Sequence, residues 1–348
     1  MTRTNAQRLI GLVCLLAGLA GCGTAGEAEA SLNDEALMSS SPPLPPDVDR
    51  HMHGRGRAAL DRLYTLDHYV PIARGRWIHL RETFSIRAFL RPNRRALLML
   101  PGPLTTGEFF QIDVDGYRGR DIIANEGAFA FTADFEGTGE SSIPADGRSP
   151  NQPNQVAAMQ VVLRYIRLIR GIGRVDVLGE SWGGGVAAEL CADRVRVRSC
   201  TIASIFYRTP SEFANQVFRS PEWRGFLDSL PDGYLPTNEF VYAGLTAGME
   251  PAVAAAFVES ESGLYPTAPL YDVFDLPYFD PSNTRVPGLL IQGELDPNQG
   301  LDDALDFVAD YAGPMELVVV EGGGHIPRTE PSPYRDVYWD AVLDFLEL

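Results

Sequence analysis

A serine in a glycine-rich turn is the residue of this sequence whose surroundings most directly suggest chemistry. Ser181 lies in Gly179-Glu180-Ser181-Trp182-Gly183, between an apolar, β-branched stretch and an alanine-rich run. A strand followed by this five-residue pattern and a helix makes a sharp turn that exposes the serine oxygen. Because a hydroxyl is a weak nucleophile until a base removes its proton, Ser181 can attack a substrate only with a histidine partner.

One histidine lies in the right place to be that base. His325 comes after Ser181, in a glycine-rich segment that directly follows the last predicted strand. The chain order therefore points to His325. The other four histidines all precede residue 80, in the N-terminal segment and the first predicted strands: His51, His53, His68 and His79.

An acid that orients the histidine is expected between the two, after the penultimate predicted strand. Gly293-Glu294-Leu295-Asp296-Pro297 follows an apolar stretch there. Asp296 is favoured by position, and Glu294, two residues earlier, is the competing acid. Glu180, beside the serine, is expected to be a buried structural carboxylate.

These segments together resemble the α/β-hydrolase superfamily, in which serine, acid and histidine occur in this order, each after a strand. The segment from Asp134 to Ser141, DFEGTGES, is similar to the Asp-x-x-Gly-x-Gly-x-Ser turn after the fourth strand of that family. The resemblance covers roughly residues 60–205 and 285–348. It implies that Ser181 attacks, that His325 accepts and returns the proton, and that Asp296 orients the imidazole and stabilises its charged form.

The resemblance also implies an oxyanion hole made of two backbone N–H groups. The first donor would be the N–H of Trp182, the residue after the nucleophile. The second normally comes from a His-Gly-x turn after the third strand, which here reads Leu100-Pro101-Gly102-Pro103-Leu104. Pro103 has no N–H to donate. Leu104 is therefore the expected second donor, with Thr105 or Thr106 as possible helpers.

Alternating apolar strands and amphipathic helices predict an α/β fold, with a mostly parallel central sheet flanked by helices. Residues 56–205 and 285–348 form its predicted core. One helix is predicted from Gln155 to Arg170, with Asn154 as its N-cap. Residues 206–284 interrupt the rhythm after the sixth strand with short helical pieces, prolines and many aromatic residues, which predicts a helical cap.

The first residues predict export. Arg3 and Arg8 precede an apolar run from Leu9 to Ala20, which is too short to span a bilayer comfortably. The segment ending in Leu19-Ala20-Gly21-Cys22 resembles the lipobox of bacterial lipoproteins, which implies a signal peptide over residues 1–21 and lipidation of Cys22. An ordinary signal peptide with an incidental cysteine is the alternative. Residues 22–55, rich in Gly, Ala, Ser and Pro, are predicted to be an extended tether from the membrane of the cell envelope.

The other cysteines fit an oxidising compartment. Cys14 leaves with the signal peptide, so Cys191 and Cys200 remain as a pair. One is predicted to end the helix after Ser181 and the other to begin the next strand, which permits a disulfide. Two free buried cysteines are the alternative. No Cys-x-x-Cys motif or histidine cluster occurs, so neither a metal nor a cofactor is expected.

Charge excludes several function classes. The formal net charge is −17, and without the two arginines of the signal peptide it becomes −17 − 2 = −19, so no nucleic-acid partner is expected. All 29 basic residues are arginine. The absence of lysine excludes Ser-Lys dyads, Schiff-base chemistry and P-loop phosphate binding.

The sequence thus predicts a serine hydrolase that cleaves small carboxylic esters through an acyl-enzyme, with an apolar or aromatic group on the substrate. An aminopeptidase of the proline-iminopeptidase type is a second hypothesis, because Ser181-Trp182-Gly183-Gly184 resembles that family too. Its His-Gly-Gly-Pro-Gly turn is not matched by Pro101-Gly102-Pro103. A binding protein of the cell envelope that uses the fold without catalysis is a third, favoured by Pro103 alone. In the second hypothesis a cap glutamate would hold the substrate ammonium: Glu212, Glu222, Glu239 or Glu259.

Overall fold

The computed structural model describes residues 33–45, 48 and 60–348. The predicted signal peptide, Cys22, His51 and His53 lie outside the described residues. Within the described ranges, no helix is both long enough and apolar enough to cross a bilayer.

Among the described residues, eight strands pair into one sheet, and two short strands pair separately within the insertion. The strands are β1 (Leu63–Ala73), β2 (Arg76–Ser85), β3 (Ala96–Leu100), β4 (Phe129–Ala133), β5 (Val175–Glu180), β6 (Val197–Ala203), β7 (Tyr234–Pro236), β8 (Leu264–Pro266), β9 (Gly288–Gly293) and β10 (Met315–Val320). The large sheet has the order β1-β2-β4-β3-β5-β6-β9-β10. β2 is antiparallel to both of its neighbours, and all pairs from β4 to β10 are parallel.

Helices cover both faces of this sheet. The α-helices of the described residues are α1 (Asp34–Ser39), α2 (Ile86–Leu90), α3 (Gly119–Asn125), α4 (Gln152–Arg170), α5 (Trp182–Cys191), α6 (Glu212–Phe218), α7 (Pro221–Ser229), α8 (Glu239–Thr246), α9 (Pro251–Glu261), α10 (Ala268–Asp272), α11 (Leu301–Asp310) and α12 (Tyr334–Leu346). Successive side chains of a strand point to opposite faces. Accordingly, Leu98 of β3 packs in the cluster that includes residues of α4, α5 and α11, and Leu97 packs with α3 and α12.

The predicted architecture is confirmed. The central strands β3, β4, β5 and β9 bury every residue, as expected of parallel strands covered on both faces. The helical insertion, from α6 to α10, follows the sixth strand of the sheet and precedes β9. The carboxyl ends of the parallel strands therefore lie along one edge of the sheet. At this edge the turns that follow β3, β5, β9 and β10 can approach one another.

The start of α4 differs from the prediction. The helix begins at Gln152, and its N-cap is Asn151, whose side chain accepts the N–H of Asn154 at 3.3 Å. The prediction of Asn154 as the cap is therefore wrong. Pro153 lies in the first turn, where its missing N–H leaves no intrahelical hydrogen bond unmade, so it does not delay the helix.

Part of the predicted tether is folded. Residues Asp34–Ser39 form α1, capped by Asn33, whose side chain accepts the N–H of Ala36 at 2.8 Å. Leu37 is fully buried in the main core, and Arg164 of α4 donates to Asp34 at 2.6 Å. The prediction of extended chain is wrong over these residues, where the burial of Leu37 and the contact of Asp34 with Arg164 dock a short helix on the core.

The insertion builds its own apolar clusters, as predicted for most of its aromatic residues. Tyr242 and Phe257 pack edge to face, with ring centroids 4.8 Å apart, in a cluster that includes Phe109 of the core. Leu104 contacts this cluster and also the second one. The turn after β3 thus lies where two clusters of the cap meet. The second cluster includes Trp223, Phe226, Leu227, Leu230, Leu235, Leu270, Tyr271 and Phe274.

The two remaining cysteines form a disulfide. Cys191 is the last residue of α5 and Cys200 lies within β6, with Cα atoms 5.9 Å apart. The bond links the helix that follows Ser181 to the neighbouring strand. Of the two states that the sequence left open, the structure has the bonded one.

Candidate active site

Ser181 occupies a strained turn between β5 and α5. Its φ is +52° and its ψ is −125°, in a region that residues other than glycine rarely adopt. A Cβ on Gly179 would lie 2.2 Å from the carbonyl oxygen of Gly183. A Cβ on Gly183 would lie 2.1 Å from the carbonyl oxygen of Pro101. Gly179 is therefore required because β5 lies close to the first turn of α5, and Gly183 because α5 lies close to the end of β3.

His325 lies between the serine and an aspartate. Its Nε2 is 3.2 Å from Ser181 Oγ, and its Nδ1 is 2.8 Å from Asp296 Oδ2. With an ionised Asp296, Nδ1 carries the proton and donates to the carboxylate, which leaves Nε2 as the acceptor facing the serine hydroxyl. The structure thus brings the three predicted side chains into one hydrogen-bonded row.

The turn after β9 orients Asp296. Oδ1 accepts the N–H of Asn298 at 2.8 Å, and Oδ2 accepts the side-chain amide of Gln292 at 3.0 Å. Glu294, the competing acid, is exposed and instead accepts the N–H of Gly322 at 2.8 Å. Position thus separates the two acids, because only Asp296 contacts the imidazole.

The surroundings of His325 raise its pKa. Burial alone lowers the pKa of this imidazole, since it disfavours the charged form. The charge of Asp296 and its hydrogen bond raise the pKa, with further contributions from Glu180 and Glu330, and together they outweigh burial. The net effect stabilises the charged form of the imidazole.

The other described histidines are held elsewhere. His68, in β1, is fully buried and lies 2.8 Å from the hydroxyl of Tyr165 and 3.1 Å from Glu82. His79, in β2, lies 2.8 Å from Asp134 and 3.0 Å from Asp67. Neither contacts Ser181, so both are part of structural networks.

The turn after β3 lies beside Ser181. A Cβ on Gly102 would be 3.4 Å from the Cβ of Ser181 and 3.9 Å from its Oγ. Pro103 and Leu104 form the turn itself, and Leu104 has a φ of +60°. The hydroxyl of Thr105 donates to the carbonyl of Gly102 at 3.0 Å, across the turn. Trp182 opens α5, so its N–H has no acceptor within the helix.

Comparison with known proteins places this arrangement in a family. A family model described as the alpha/beta hydrolase family matches residues 97–338, more than half of the chain. The chain belongs to the α/β hydrolase family. It is therefore an enzyme of hydrolytic function. No curated protein sequence matches the chain at a significant level.

Solved structures agree on the fold of this hydrolase. An E-2-(acetamidomethylene)succinate hydrolase has a TM-score of 0.59 at 17% identity, and the match covers 82% of this chain and 100% of that one. A thermophilic esterase from Thermogutta terrifontis has a TM-score of 0.58 at 16% identity, covering 82% and 98%. A probable hydrolytic enzyme from Pseudomonas aeruginosa has a TM-score of 0.59 at 17% identity, covering 82% and 95%.

A buried ion pair links β5, the strand that ends just before Ser181, to the segment that follows His325. Arg328 donates to both carboxylate oxygens of Glu180, each at 2.7 Å, and Tyr338 donates to the same carboxylate at 2.8 Å. The guanidinium also lies against the rings of Phe109 and Phe110, 4.2 and 4.3 Å from their centroids. Glu180 has the structural role expected of it. Arg328 carried no sequence signal of its own.

Two carboxylates of the cap, the half-buried Asp272 and the fully buried Glu261, hydrogen-bond to Trp182 and to the loop after β3. Asp272 accepts the indole N–H of Trp182 at 2.9 Å, and burial raises its pKa to about 6. Glu261, the last residue of α9, accepts the N–H of Thr106 at 2.7 Å. Sequence reasoning missed both residues, because nothing in their local sequence distinguishes them from the exposed acids of the cap.

Proposed function

We propose that this enzyme is a serine hydrolase that cleaves carboxylic esters through an acyl-enzyme. Ser181 is the nucleophile, His325 the general base and acid, and Asp296 the residue that orients the imidazole. The observation that carries the proposal is the single imidazole within hydrogen-bonding distance of both Ser181 Oγ and Asp296 Oδ2. That geometry meets the requirement for an activated nucleophile: a base in contact with the hydroxyl and a third group that orients the base.

The acylation step follows from the proton positions. Ser181 Oγ attacks the ester carbonyl carbon while its proton passes to His325 Nε2, and the carbonyl oxygen becomes an oxyanion. The tetrahedral intermediate then collapses, the bond to the leaving alkoxy oxygen breaks, and His325 gives its proton to that oxygen. The products of this step are an alcohol and the acylated Ser181.

Deacylation repeats the sequence with water as the nucleophile. His325 takes a proton from water, whose oxygen attacks the acyl carbon, and the second tetrahedral intermediate expels Ser181 Oγ. The imidazolium returns its proton to the serine, and the carboxylic acid leaves. Asp296 stabilises the imidazolium in both halves of the reaction.

Two backbone N–H groups are proposed to stabilise the oxyanion. The N–H of Trp182 is available at the start of α5 and benefits from the positive end of the helix dipole. Leu104 is proposed as the second donor, because its neighbour Pro103 has none and because the turn lies beside Ser181. Loss of one such donor costs about 10²- to 10³-fold in kcat in other hydrolases.

The apolar surroundings of the site support an ester with an apolar group. Leu104 contacts two apolar clusters of the cap, and the ring of Phe206 lies edge-on to His325 with centroids 6.0 Å apart. The esterase activity named for the Thermogutta terrifontis structure is consistent with an ester substrate.

The aminopeptidase hypothesis receives no support from the cap. The four glutamates that it requires as candidate ligands for an ammonium group are all exposed. Two less exposed acids of the cap, the buried Glu261 and the half-buried Asp272, already accept hydrogen bonds from this chain. The hypothesis of a binding protein without catalysis fits poorly with membership of a hydrolase family.

A substrate panel tests the proposed function. We expect the purified enzyme to hydrolyse p-nitrophenyl acyl esters, with a preference among graded acyl chain lengths, and Ser181→Ala to lose essentially all of this activity. Proline p-nitroanilide should not be cleaved. A folded wild-type enzyme that cleaves the anilide and none of the esters would overturn the ester proposal.

Export and lipid anchoring remain part of the proposal and rest on the first 22 residues. Expression of the full chain in a bacterial host should place it in the membrane fraction, with a mass that shows cleavage before Cys22 and an added lipid. Cys22→Ala should be released from the membrane. Equal recovery of both proteins in the soluble periplasmic fraction would indicate an ordinary signal peptide instead.

A further inference from the structure

The turn after β3 is the proposed source of the second oxyanion donor, and a tyrosine of the cap hydrogen-bonds to this turn. The hydroxyl of Tyr242, in α8, lies 2.6 Å from the carbonyl oxygen of Leu104 and 2.6 Å from that of Glu261. The hydroxyl has one proton, which the two carbonyls share. The hydroxyl of Thr237 lies 3.2 Å from the Tyr242 hydroxyl and also donates to the carbonyl of Glu261 at 3.2 Å. Because Tyr242 is buried, with 2% of its surface exposed, the loss of its hydroxyl would leave the carbonyl of Leu104 without water to replace the hydrogen bond.

A carboxylate holds the next part of the same loop. Glu261 is fully buried, and its two oxygens accept the N–H of Thr106 at 2.7 Å and the Thr106 hydroxyl at 3.0 Å. The hydroxyl of Tyr265 donates to it as well, at 2.9 Å. None of these three partners is a cation, so the interactions of Glu261 serve the loop and the cap rather than an ion pair.

Glu261 occupies a site that disfavours a charged carboxylate. Burial raises its pKa to about 7, even though three hydrogen bonds lower it. A buried carboxylate without a counter-charge is costly to retain. Its two contacts with Thr106 fix the backbone two residues after Leu104, which is where the loop leaves the turn.

The core fixes the far end of the loop. Asp134, from the turn after β4, accepts the N–H of Gly107 at 2.8 Å. Between this anchor and β3, the turn at Pro103 and Leu104 takes a strained path, with a φ of +60° at a leucine. Such a conformation persists only where its surroundings hold it in place. The contacts of Tyr242 and Glu261 are of that kind.

We propose that Tyr242 and Glu261 are positioning residues, which hold the Pro103–Leu104 turn from the cap so that the N–H of Leu104 replaces the donor that Pro103 lacks. The inference rests on the proposed function. It makes the cap part of the oxyanion hole as well as a cover over the substrate. Neither residue touches the reacting atoms.

A pair of matched tyrosine variants tests the proposal. Tyr242→Phe removes one hydroxyl and keeps the ring. Tyr234→Phe is the control, because Tyr234 is also a buried cap tyrosine whose hydroxyl donates to a core carbonyl, that of Pro144, at 2.8 Å. We expect Tyr242→Phe to lose about 10- to 100-fold in kcat, less than or equal to the loss of a whole donor, with KM nearly unchanged. Tyr234→Phe should stay within about twofold of wild type, a change too small to reflect a lost donor.

Binding of a transition-state analogue separates positioning from a general loss of structure. A trifluoromethyl ketone forms a tetrahedral oxyanion on the serine, so its affinity should fall by the same factor as kcat in Tyr242→Phe. Glu261→Gln keeps one carbonyl acceptor for Thr106 and should retain more activity than Glu261→Ala. The positioning role is overturned if Tyr242→Phe and Tyr234→Phe behave alike, or if the Gln and Ala variants lose activity equally.

A readout independent of turnover keeps this proposal distinct from the proposed function. In amide hydrogen exchange, the peptide covering residues 101–108 should exchange faster in Tyr242→Phe than in wild type or in Tyr234→Phe. Unchanged exchange there would overturn the positioning role even in an active enzyme. Faster exchange in a protein that hydrolyses no ester would refute the proposed function while leaving the hold on the turn in place.

Discussion

In the proposed mechanism, the ionisation of His325 determines how the activity varies with pH. Burial lowers its pKa, but the charge and hydrogen bond of Asp296, together with the charges of Glu180 and Glu330, outweigh burial and raise the pKa above 6.5. The base must be neutral to accept the proton of Ser181. Activity is therefore present above the pKa of His325 and is lost as the pH falls through it.

This sign gives a prediction for Asp296. Wild-type kcat/KM should rise with pH through an ionisation above 6.5. Asp296→Asn removes the charge and the preference for the correct tautomer, so the ionisation should move to lower pH and kcat should fall by roughly 10⁴-fold, as in other triads. A pH series of kcat/KM for both proteins measures it. An unchanged acidic limb in the variant would contradict the role given to Asp296.

Some site residues can be predicted from the sequence because the neighbouring residues form a recognisable pattern. Others cannot, because their contacts are with distant parts of the chain. The candidates Ser181 and His325 stand in glycine-rich turns after strands, and chain order then singles out Asp296. Glu261 and Tyr242 lie in a cap, and no sequence pattern predicts how its helices are placed relative to the sheet. Their contacts with Thr106 and Leu104 join residues more than 130 positions apart, which no local pattern encodes.

Among the elements, the pair of Glu180 and Arg328 links the end of β5 to the segment that carries His325. Both side chains are almost completely buried, at 1% and 2% exposure. Removal of one partner leaves an uncompensated buried charge, which typically costs about 3–5 kcal/mol. A substitution at either residue is therefore expected to destabilise the fold.

Arg328→Met should lower the free energy of unfolding by about 3–5 kcal/mol, because the buried Glu180 carboxylate loses its counter-charge and keeps only the hydrogen bond from Tyr338. Urea unfolding followed by circular dichroism measures the change. Arg118→Met is the control, since Arg118 pairs with Asp113 at the surface and should contribute no more than about 1 kcal/mol. Equal losses in the two variants would contradict the account of the buried pair.

The elements also show where sequence patterns stop being informative. The apolar runs of β3, β4, β5 and β9 predict buried strands, because burial on both faces leaves no room for polar side chains. The sequence pattern places the start of α4 three residues late. The reason is that Pro153 resembles a residue before the helix, whereas it lies in the first turn. α1 was missed because its stability comes from the docking of Leu37 on the core rather than from helix propensity.

At the scale of the whole molecule, the disulfide links α5, the helix that follows Ser181, to β6. Cys191 and Cys200 are nine residues apart, and closing a loop of this length stabilises the folded state by about 2–3 kcal/mol in the chain-entropy model. A disulfide also fits the proposed export to an oxidising compartment.

Replacing both cysteines by alanine should therefore lower the free energy of unfolding by about 2–3 kcal/mol. Urea unfolding of wild type with and without a reductant should reproduce the difference, and reductant should have no effect on the double variant. Alkylation of two thiols in the unreduced wild-type protein would contradict the bonded state.

The whole molecule combines a core that sequence patterns predict well with a cap that they predict only as an insertion. The order of the strands after β3 follows from a parallel sheet with right-handed crossovers. How the cap meets the turn after β3 depends on which apolar residues of the insertion find partners in the core. That choice is made by packing, which the aromatic content of residues 206–284 indicates only in general terms.

The central claim is that His325 activates Ser181 as a nucleophile, and covalent labelling tests it most directly. The wild-type protein is incubated with a fluorophosphonate probe, and the modified residue is identified by peptide mapping. We predict one adduct, on Ser181, which forms much more slowly in His325→Ala and not at all in Ser181→Ala. A correctly folded wild-type protein that stays unmodified, or one labelled at a different serine, would contradict the claim.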